Sequence, residues 1–359
     1  MSDDIITRIE APRLAPVLIG HGAAASSLAE AWRSERLAHA WMFTGPPGIG
    51  KATLAWQFVR FVAAGGIQAG EGPLATDPQH PAVRQLIAGA YPDNRLVRRS
   101  HNVRPPHRLR TEISVEDVRA VGQFLRHTAA MGGWRTVVVD SADAMNVNAQ
   151  NALLKVLEEP PPRTLLLLVC HAPSRLLPTV RSRCRTLNLR PLAEDQVAAI
   201  IAQEQPDLPA AERQLLARLA DGAPGWALDL AEAGGLDLYR NLIGLLDSLP
   251  SLDSVRLHKT ADRFGGASGE PAYRTFMSLL QWWLGRAIRA AAEKSSASLE
   301  EVVPGEAALT VRLTQPGLEP WLKAWEKVAE LTSRADAVNL DRKQVVLNAF
   351  FELASAARG

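Results

Sequence analysis

The stretch AHAWMFTGPPGIGK, residues 38–51, decides the fold of the first half of this 359-residue chain. Its first seven residues have the pattern of a buried strand, and apolar residues after Lys51 recur at helical spacing up to Ala64. Between strand and helix, residues 45–51 fit G-x-x-x-x-G-K, whose glycines let backbone N–H groups surround phosphates. A strand, this loop and a helix form the context that the motif requires. The stretch therefore predicts a phosphate-binding loop.

The loop keeps the phosphate-binding features of this motif but departs from it at one position. The helix N-terminus adds a positive dipole end, and Lys51 is placed to reach the β- and γ-phosphates. Ala52 stands where a Ser or Thr hydroxyl would bind Mg²⁺, and Thr53 lies about 100° further around the helix. The predicted nucleotide-binding residues are Gly45, Pro46, Pro47, Gly48, Ile49, Gly50, Lys51, Ala52, Thr53 and Asp140.

An acidic residue follows a second strand-like run. Residues 136–139 are β-branched and end at Asp140, which we expect to hold Mg²⁺ through water from the end of a neighbouring strand. An active hydrolase usually continues with a Glu that polarises the attacking water, but Ser141 follows here. A serine is not a base at neutral pH. Together with Ala52, Ser141 predicts little or no intrinsic ATP hydrolysis.

Strand-like and helical patterns alternate up to about residue 190 and then give way to helices alone. The run at residues 164–170 is apolar throughout, which suits a parallel sheet covered on both faces. We predict an α/β domain for residues 1–190, with a poorly patterned insertion at about 65–110. Residues 191–235 then form a small helical unit, and residues 236–359 form further helices. Four tryptophans of those last helices are predicted core residues: Trp282, Trp283, Trp321 and Trp325.

Composition excludes several classes of protein. The chain is 47% hydrophobic and 22% charged, which excludes a disordered or collagen-like chain. Lys and Arg number 40 against 38 Asp and Glu, so the net charge of +2 gives no overall attraction to nucleic acid. Cys170 and Cys184 cannot build a disulfide framework. With no signal-peptide pattern and no apolar stretch near the ~20 residues that span a bilayer, we expect a cytoplasmic protein without membrane contact.

Basic residues cluster in the poorly patterned insertion. They form either a solvated loop or a patch that contacts phosphate. We favour the loop, because no aromatic side chains alternate with the arginines to stack on bases. The basic residues are Arg95, Arg98, Arg99, His101, Arg104, His107, Arg108 and Arg110.

Two further strings make a family recognisable. NALLKVLEEPP at residues 151–161 comes just after the Asp140 strand, and SRC at residues 182–184 follows the next strand. Together with residues 45–51, they resemble the bacterial DNA polymerase III clamp-loader subunits of the AAA+ class. The resemblance covers residues 15–235 well and the later helices by layout. It implies a RecA-like P-loop domain, a small helical lid and an all-helical C-terminal collar that packs beside partner collars.

The resemblance implies a function in DNA replication. In this family five subunits form an open ring that uses ATP to load the sliding clamp onto primed DNA. The implied partners are the other clamp-loader subunits (gamma/tau and delta), the clamp, and primed DNA through the assembled complex. The arginine that matches Arg183 enters a neighbouring subunit's ATP site as a finger, so Arg183 is the predicted catalytic residue, acting in trans. Ala52, Ser141 and the absence of a sensing arginine at Gly225 or Trp226 favour a scaffold subunit.

Two alternatives stay open at this point. One is an ATP-hydrolysing motor subunit of the same assembly, and the other is an unrelated P-loop kinase, which leaves residues 151–161 and 182–184 unexplained. The expected cofactor is ATP with Mg²⁺, bound weakly or as a vestige. Zinc is not expected, because no cysteine lies between residues 45 and 169, where the family commonly carries a zinc-binding cluster.

Overall fold

The computed structural model describes residues 12–15, 17–100, 110–266, 268–293, 300–315, 317–338 and 340–358. These residues fall into two compact units. The first contains the described residues up to Ile200 together with Asp221–Gly225, and the second contains Ile201–Ala220 and the described residues from Trp226 onward. The division of the sequence at residues 190 and 236 stays a prediction.

A five-stranded parallel sheet forms the centre of the first unit. Its strands lie in the order β2-β3-β4-β1-β5. They are β1 (Ala40–Thr44), β2 (Asn94–Val97), β3 (Arg135–Val139), β4 (Thr164–Cys170) and β5 (Arg185–Asn188). β1, β3 and β4 are buried along their whole length, as strands covered on both faces should be. The predicted α/β class with a parallel sheet is confirmed.

The first unit also contains helices. They are α1 (Gly22–Arg33), α2 (Lys51–Ala63), α3 (Pro81–Ile87), α4 (Val115–Arg126), α5 (Val147–Glu158), α6 (Pro178–Arg181) and α7 (Glu194–Glu204, whose last four residues belong to the second unit). Alternate residues of the inner strands, such as Met42, Val139 and Leu166, share one apolar cluster with Val121 of α4 and Leu153 of α5. α2, which begins at the predicted phosphate loop, contacts β1, β3 and β4. The loop is therefore held between two well-packed elements.

The insertion at residues 65–110 contains regular structure, so the prediction of a solvated loop is wrong for much of it. α3 begins at Pro81, and β2 adds a strand at the sheet edge. Sequence patterns miss β2 because an edge strand of four residues is only partly buried, with Arg95 exposed and Val97 covered. The buried carboxylate of Asp93 anchors the segment by accepting two backbone N–H bonds from the loop after α4, at 2.7 and 2.8 Å.

All regular structure in the described part of the second unit is helical. Its helices are α8 (Ala210–Leu219), α9 (Pro224–Glu232, whose first two residues belong to the first unit), α10 (Gly235–Asp247), α11 (Ser254–Asp262), α12 (Glu270–Ala292), α13 (Glu306–Thr314), α14 (Glu319–Val338) and α15 (Arg342–Ala356). A buried carboxylate, Glu306, accepts from Tyr239 at 2.7 Å and from Arg286 at 3.2 Å. These bonds satisfy a charge that would otherwise be costly to bury.

The four tryptophans of this unit differ in burial. Trp283 and Trp321 are both 1% exposed and meet edge to face with ring centroids 6.2 Å apart, so the core prediction is confirmed for them. Trp282 is half-buried against Tyr239. Trp325 is 40% exposed, and its prediction is wrong because it lies at the margin of the buried stripe of α14.

Among the helices of the described residues, none combines the length and the apolar character needed to cross a bilayer.

Candidate functional site

The predicted phosphate loop connects β1 to α2 in a conformation that requires glycine. Gly45, Gly48 and Gly50 have φ angles of 140°, 75° and 98°, where side chains are disfavoured. A Cβ atom on Gly45 would lie 2.5 Å from the carbonyl oxygen of Leu189. Because α2 begins at Lys51, directly after the loop, its first N–H groups lack partners within the helix and are available to an anion.

The Lys51 side chain is held inside the loop. It is 3% exposed, and its Nζ donates to the carbonyl oxygens of Gly45 at 2.7 Å and Pro46 at 2.5 Å. Burial lowers the pKa of Lys51 from 10.5 to about 8, although the charges of Asp143 and Asp140 partly oppose the shift. An ammonium has three hydrogens, so one remains to donate to a phosphate oxygen when the lysine is protonated.

His21 holds the loop from the start of α1, a contact that sequence reasoning missed. Its Nε2 donates to the carbonyl oxygen of Ile49 at 2.7 Å. Burial lowers the pKa of His21, the bond to Ile49 opposes this change, and the charge of Lys51 adds to it. His21 itself has a positive φ of 54°. No local motif reveals such a contact, because 28 residues separate the two partners.

The segment Asp221–Gly225 also lies on the loop. The backbone N–H of Gly225 donates to the carbonyl oxygen of Gly48 at 2.9 Å. A Cβ atom on Gly225 would lie 3.2 Å from both the Cα and the oxygen of Gly48. Gly225 therefore brings its bare backbone against the loop.

The remaining polar groups of the site lie at the carboxyl ends of the strands. Thr44 of β1 pairs with Cys170 of β4, and β4 separates β1 from β3. The prediction that Asp140 ends a strand neighbouring the loop strand is therefore wrong, since the sequence does not reveal strand order. β4 lies beside β1 instead. Because Thr44 pairs with Cys170, the next residue, His171, lies beside the start of the loop.

His171 and Asp143, which sequence reasoning did not select as site residues, form a pair at this edge. The Oδ1 atom of Asp143 accepts from the backbone N–H of His171 at 2.9 Å and lies 3.4 Å from its Nδ1. Burial alone would raise the pKa of Asp143, but the hydrogen bonds and the charge of His171 outweigh burial and lower it. Asp143 is thus an ionised acceptor engaged with its own chain.

Asp140 lies beside two arginines from the basic insertion. Its backbone N–H donates to the carbonyl oxygen of Val97 at 2.8 Å, which sets Asp140 beside Arg98 across two parallel strands. Burial raises the pKa of Asp140, and the charges of His171, Arg98, Arg99 and Lys51 reduce that rise in this order. Among the described residues, the buried Nη1 atom of Arg98 has no hydrogen-bond partner.

The rest of the basic cluster lies elsewhere. Arg95 is exposed on β2. Arg110 is half-buried, and its backbone N–H donates to the carbonyl oxygen of Ser100 at 2.8 Å. His101, Arg104, His107 and Arg108 lie outside the described residues.

The site fits the phosphates of a nucleotide but not the metal ion that usually accompanies them. The loop offers backbone donors, a helix N-terminus and Lys51 to phosphate. Ala52 has no hydroxyl, Ser141 adds no carboxylate, and arginine charges already face Asp140. In the described ranges, no cluster of three or more His, Cys, Asp or Glu residues is arranged to hold a metal ion.

Arg183 and the phosphate loop lie at opposite ends of the strands. Arg183 precedes β5, and β5 pairs in parallel with β1 from Arg185 to Asn188. Arg183 therefore lies near the amino ends of these strands, whereas the loop leaves the carboxyl end of β1. Five residues along a strand span about 16 Å, which is beyond the reach of an arginine side chain. Its Nη1 donates to the Thr179 carbonyl at 3.0 Å, and its Nη2 lies 2.9 Å from Oε1 of Glu158. The side chain is held in place yet 36% exposed.

A parallel sheet with a G-x-x-x-x-G-K loop between an internal strand and a helix defines the first unit as a P-loop domain. Comparison with known proteins shows which family part of the chain resembles. Residues 20–193 match the family model described as "DNA polymerase III, delta subunit". The resemblance to bacterial clamp-loader subunits, and to the delta-prime subunit in particular, is confirmed.

Individual relatives agree with this family. A DNA polymerase III subunit delta' of Pseudomonas aeruginosa is 40% identical over 190 residues, which cover 52% of this chain and 54% of that protein. The subunit delta' of Escherichia coli K12 is 32% identical over 236 residues, covering 63% and 64%. A subunit tau/gamma of Haemophilus influenzae is 26% identical over 292 residues, covering 75% and 40%. The chain thus matches between half and two thirds of the length of these delta-prime relatives.

Proposed function

We propose that this chain is a clamp-loader subunit of the delta-prime type, a scaffold that contributes Arg183 in trans to ATP hydrolysis by a neighbouring subunit during DNA replication. One observation carries the proposal: Arg183 lies near the sheet edge opposite its own phosphate loop, exposed and held by Glu158 and the Thr179 carbonyl. An arginine so placed cannot serve its own nucleotide site. It can serve a site on a second molecule.

The chemistry of such an arginine is electrostatic. A guanidinium brought to the transferred phosphoryl group offsets the negative charge that develops during transfer, which accelerates the reaction by roughly 10³- to 10⁵-fold. Holding the side chain by two contacts reduces the conformational entropy lost when it docks. The contact with Glu158 is exposed and therefore weak, so Arg183 can exchange it for a phosphate.

This chain's own loop has a lesser part in the proposal. Ala52 lacks the hydroxyl for a metal ion and Ser141 lacks a base for water, so hydrolysis at this loop is slow or absent. The phosphate-binding geometry of residues 45–51 still allows nucleotide to be held. The proposed partners are gamma/tau and delta subunits in a five-membered ring, together with the sliding clamp and, through the complex, primed DNA. We infer a cytoplasmic location for this assembly.

The intact loop favours one alternative, a motor subunit that hydrolyses its own ATP. Lys51 and all three positive-φ glycines are present, as a motor would need. The motor and the scaffold differ in which residue the assembled complex requires. A motor requires Lys51, whereas the scaffold requires Arg183.

The test uses a complex reconstituted with the partner subunits of the same organism. We expect Arg183→Ala to lower the DNA-stimulated ATPase rate at least tenfold, because one transition-state charge is left without its guanidinium. Arg181→Ala, an exposed arginine on the adjoining α6, is the matched control and should leave the rate unchanged. Gel filtration must show the variant in the complex. An unchanged ATPase rate in that complex would refute the proposal.

A further inference from the structure

Two arginines of the basic insertion have no part in the function proposed so far. Arg98 and Arg99 directly follow β2, which ends at the carboxyl edge of the sheet with β3 and β4. Val97 pairs with Val139, so the next residues, Arg98 and Asp140, lie side by side. Neighbouring strands are about 4.8 Å apart, and residues in register point to the same face of a parallel sheet.

The surroundings of Arg98 place its charge close to Asp140. Its Nη1 atom is buried and has no hydrogen-bond partner among the described residues, although leaving a buried donor unpaired is energetically unfavourable. Its charge acts on Asp140 more strongly than that of Lys51 does. The carboxylate that would hold a metal ion through water thus already has a cationic neighbour.

We propose that Arg98, supported by Arg99, replaces the metal ion at this site, so that the phosphate loop takes up nucleotide without Mg²⁺. The inference rests on the proposed ability of residues 45–51 to hold nucleotide. It goes beyond that proposal by assigning a role to the basic insertion and a metal-free form to the ligand.

The charge balance supports this assignment. Free ATP at neutral pH carries about four negative charges, and a bound metal ion normally neutralises two of them. Here Ala52 removes one metal contact, and Asp143 is occupied by His171. Lys51, Arg98 and Arg99 are three cations near the carboxyl edge, opposed by Asp140 and Asp143. The positive charges of these side chains suit a fully charged triphosphate. A metal ion, by contrast, would bind at the Asp140 carboxylate, where it would be repelled by the two arginines.

Calorimetric titration of the full chain with ATP, in excess EDTA or in Mg²⁺, tests the inference. We expect the unaltered chain to bind ATP at least about tenfold more tightly in EDTA than in Mg²⁺, because nearly all ATP carries the metal ion in Mg²⁺. Arg98→Ala should weaken binding about tenfold in EDTA and much less in Mg²⁺, because the Asp140 carboxylate then repels the triphosphate unless a cation covers it. Arg95→Ala, on the same strand but exposed, is the matched control and should behave like the unaltered chain.

A second variant separates charge from structure. Adding Asp140→Asn to Arg98→Ala removes the repelling carboxylate and should restore metal-free binding to near the original affinity. Binding only in Mg²⁺, no binding under either condition, or an unchanged metal preference in Arg98→Ala would each overturn the inference. Circular dichroism of each variant must match the unaltered chain. The Arg183 experiment is independent of these outcomes, so failure here and failure of the proposed function are distinguishable.

Discussion

The amino group of Lys51 combines near-complete burial with two backbone acceptors in the phosphate loop. Burial lowers its pKa to about 8 in the folded chain, from the ordinary value of 10.5. Between these two values the unfolded chain binds more protons than the folded chain. The charged lysine therefore destabilises the fold below pH 8, and this penalty disappears as the pH rises toward 10.5.

We predict that this penalty is measurable by comparison with Lys51→Met. Raising the pH from 7 to 9.5 should stabilise the unaltered chain relative to the variant by about 2 kcal/mol. Urea unfolding at both pH values measures the difference. Lys155→Met, at an exposed position on α5, controls for general loss of a lysine and should show no such change. A difference between Lys51→Met and the unaltered chain that does not vary with pH would contradict the assigned burial effect.

Sequence reasoning worked well for residues whose chemistry is local. The glycines of residues 45–51 and Lys51 follow from spacing alone, because consecutive residues make up the loop. His21 and the His171–Asp143 pair could not be found in this way, since they meet their partners across 28 residues of chain in each case. Contacts of that kind depend on how helices and strands are placed, which local patterns do not specify.

The segment Asp221–Gly225, which includes the first two residues of α9, shows what an element contributes to the site. Its last residue, Gly225, contacts Gly48 through backbone atoms alone. A Cβ atom added to Gly225 would lie 3.2 Å from Gly48, which leaves too little room for a side chain without movement. The segment thus restrains the tip of the phosphate loop.

We predict that Gly225→Ala destabilises the chain by about 1 kcal/mol, because the new methyl group pushes against the Gly48 backbone. The same change should alter ATP affinity, since it displaces the loop tip. Gly122→Ala on α4 is the matched control: no atom lies within 4 Å of its added Cβ, so helix propensity should make it neutral or stabilising. Urea unfolding and ATP titration measure the two effects. Equal stability of both variants would show that the contact is dispensable.

At the level of elements, the buried strands were predictable and the edge strands were not. β1, β3 and β4 are apolar runs in the sequence, because both of their faces are covered. β2 and β5 are four residues long, β2 is only partly buried and β5 is largely exposed, so their composition resembles that of a loop. The misplacement of Asp140 has a related cause. Strand order depends on crossover connections, and these leave little trace in local sequence.

At the scale of the whole molecule, the groups that carry the two proposed functions lie apart in the first unit. The phosphate loop and its cations occupy the carboxyl edge of the sheet, and the exposed arginine lies toward the amino edge. A subunit built in this way can lose ATP hydrolysis at its own loop and still be required for ATP hydrolysis by a neighbouring subunit. Ala52, Ser141 and the SRC string predict this division from the sequence, and the distance of Arg183 from its own phosphate loop supports it.

The most direct test compares Lys51→Ala with Arg183→Ala in reconstituted complexes, with clamp loading onto primed DNA as the measurement. We predict a rate within about twofold of the unaltered complex for Lys51→Ala and a loss of at least about tenfold for Arg183→Ala. Both complexes must contain the full set of subunits. A loss for Lys51→Ala as large as that for Arg183→Ala would contradict the scaffold function, because this chain's own loop would then drive the cycle.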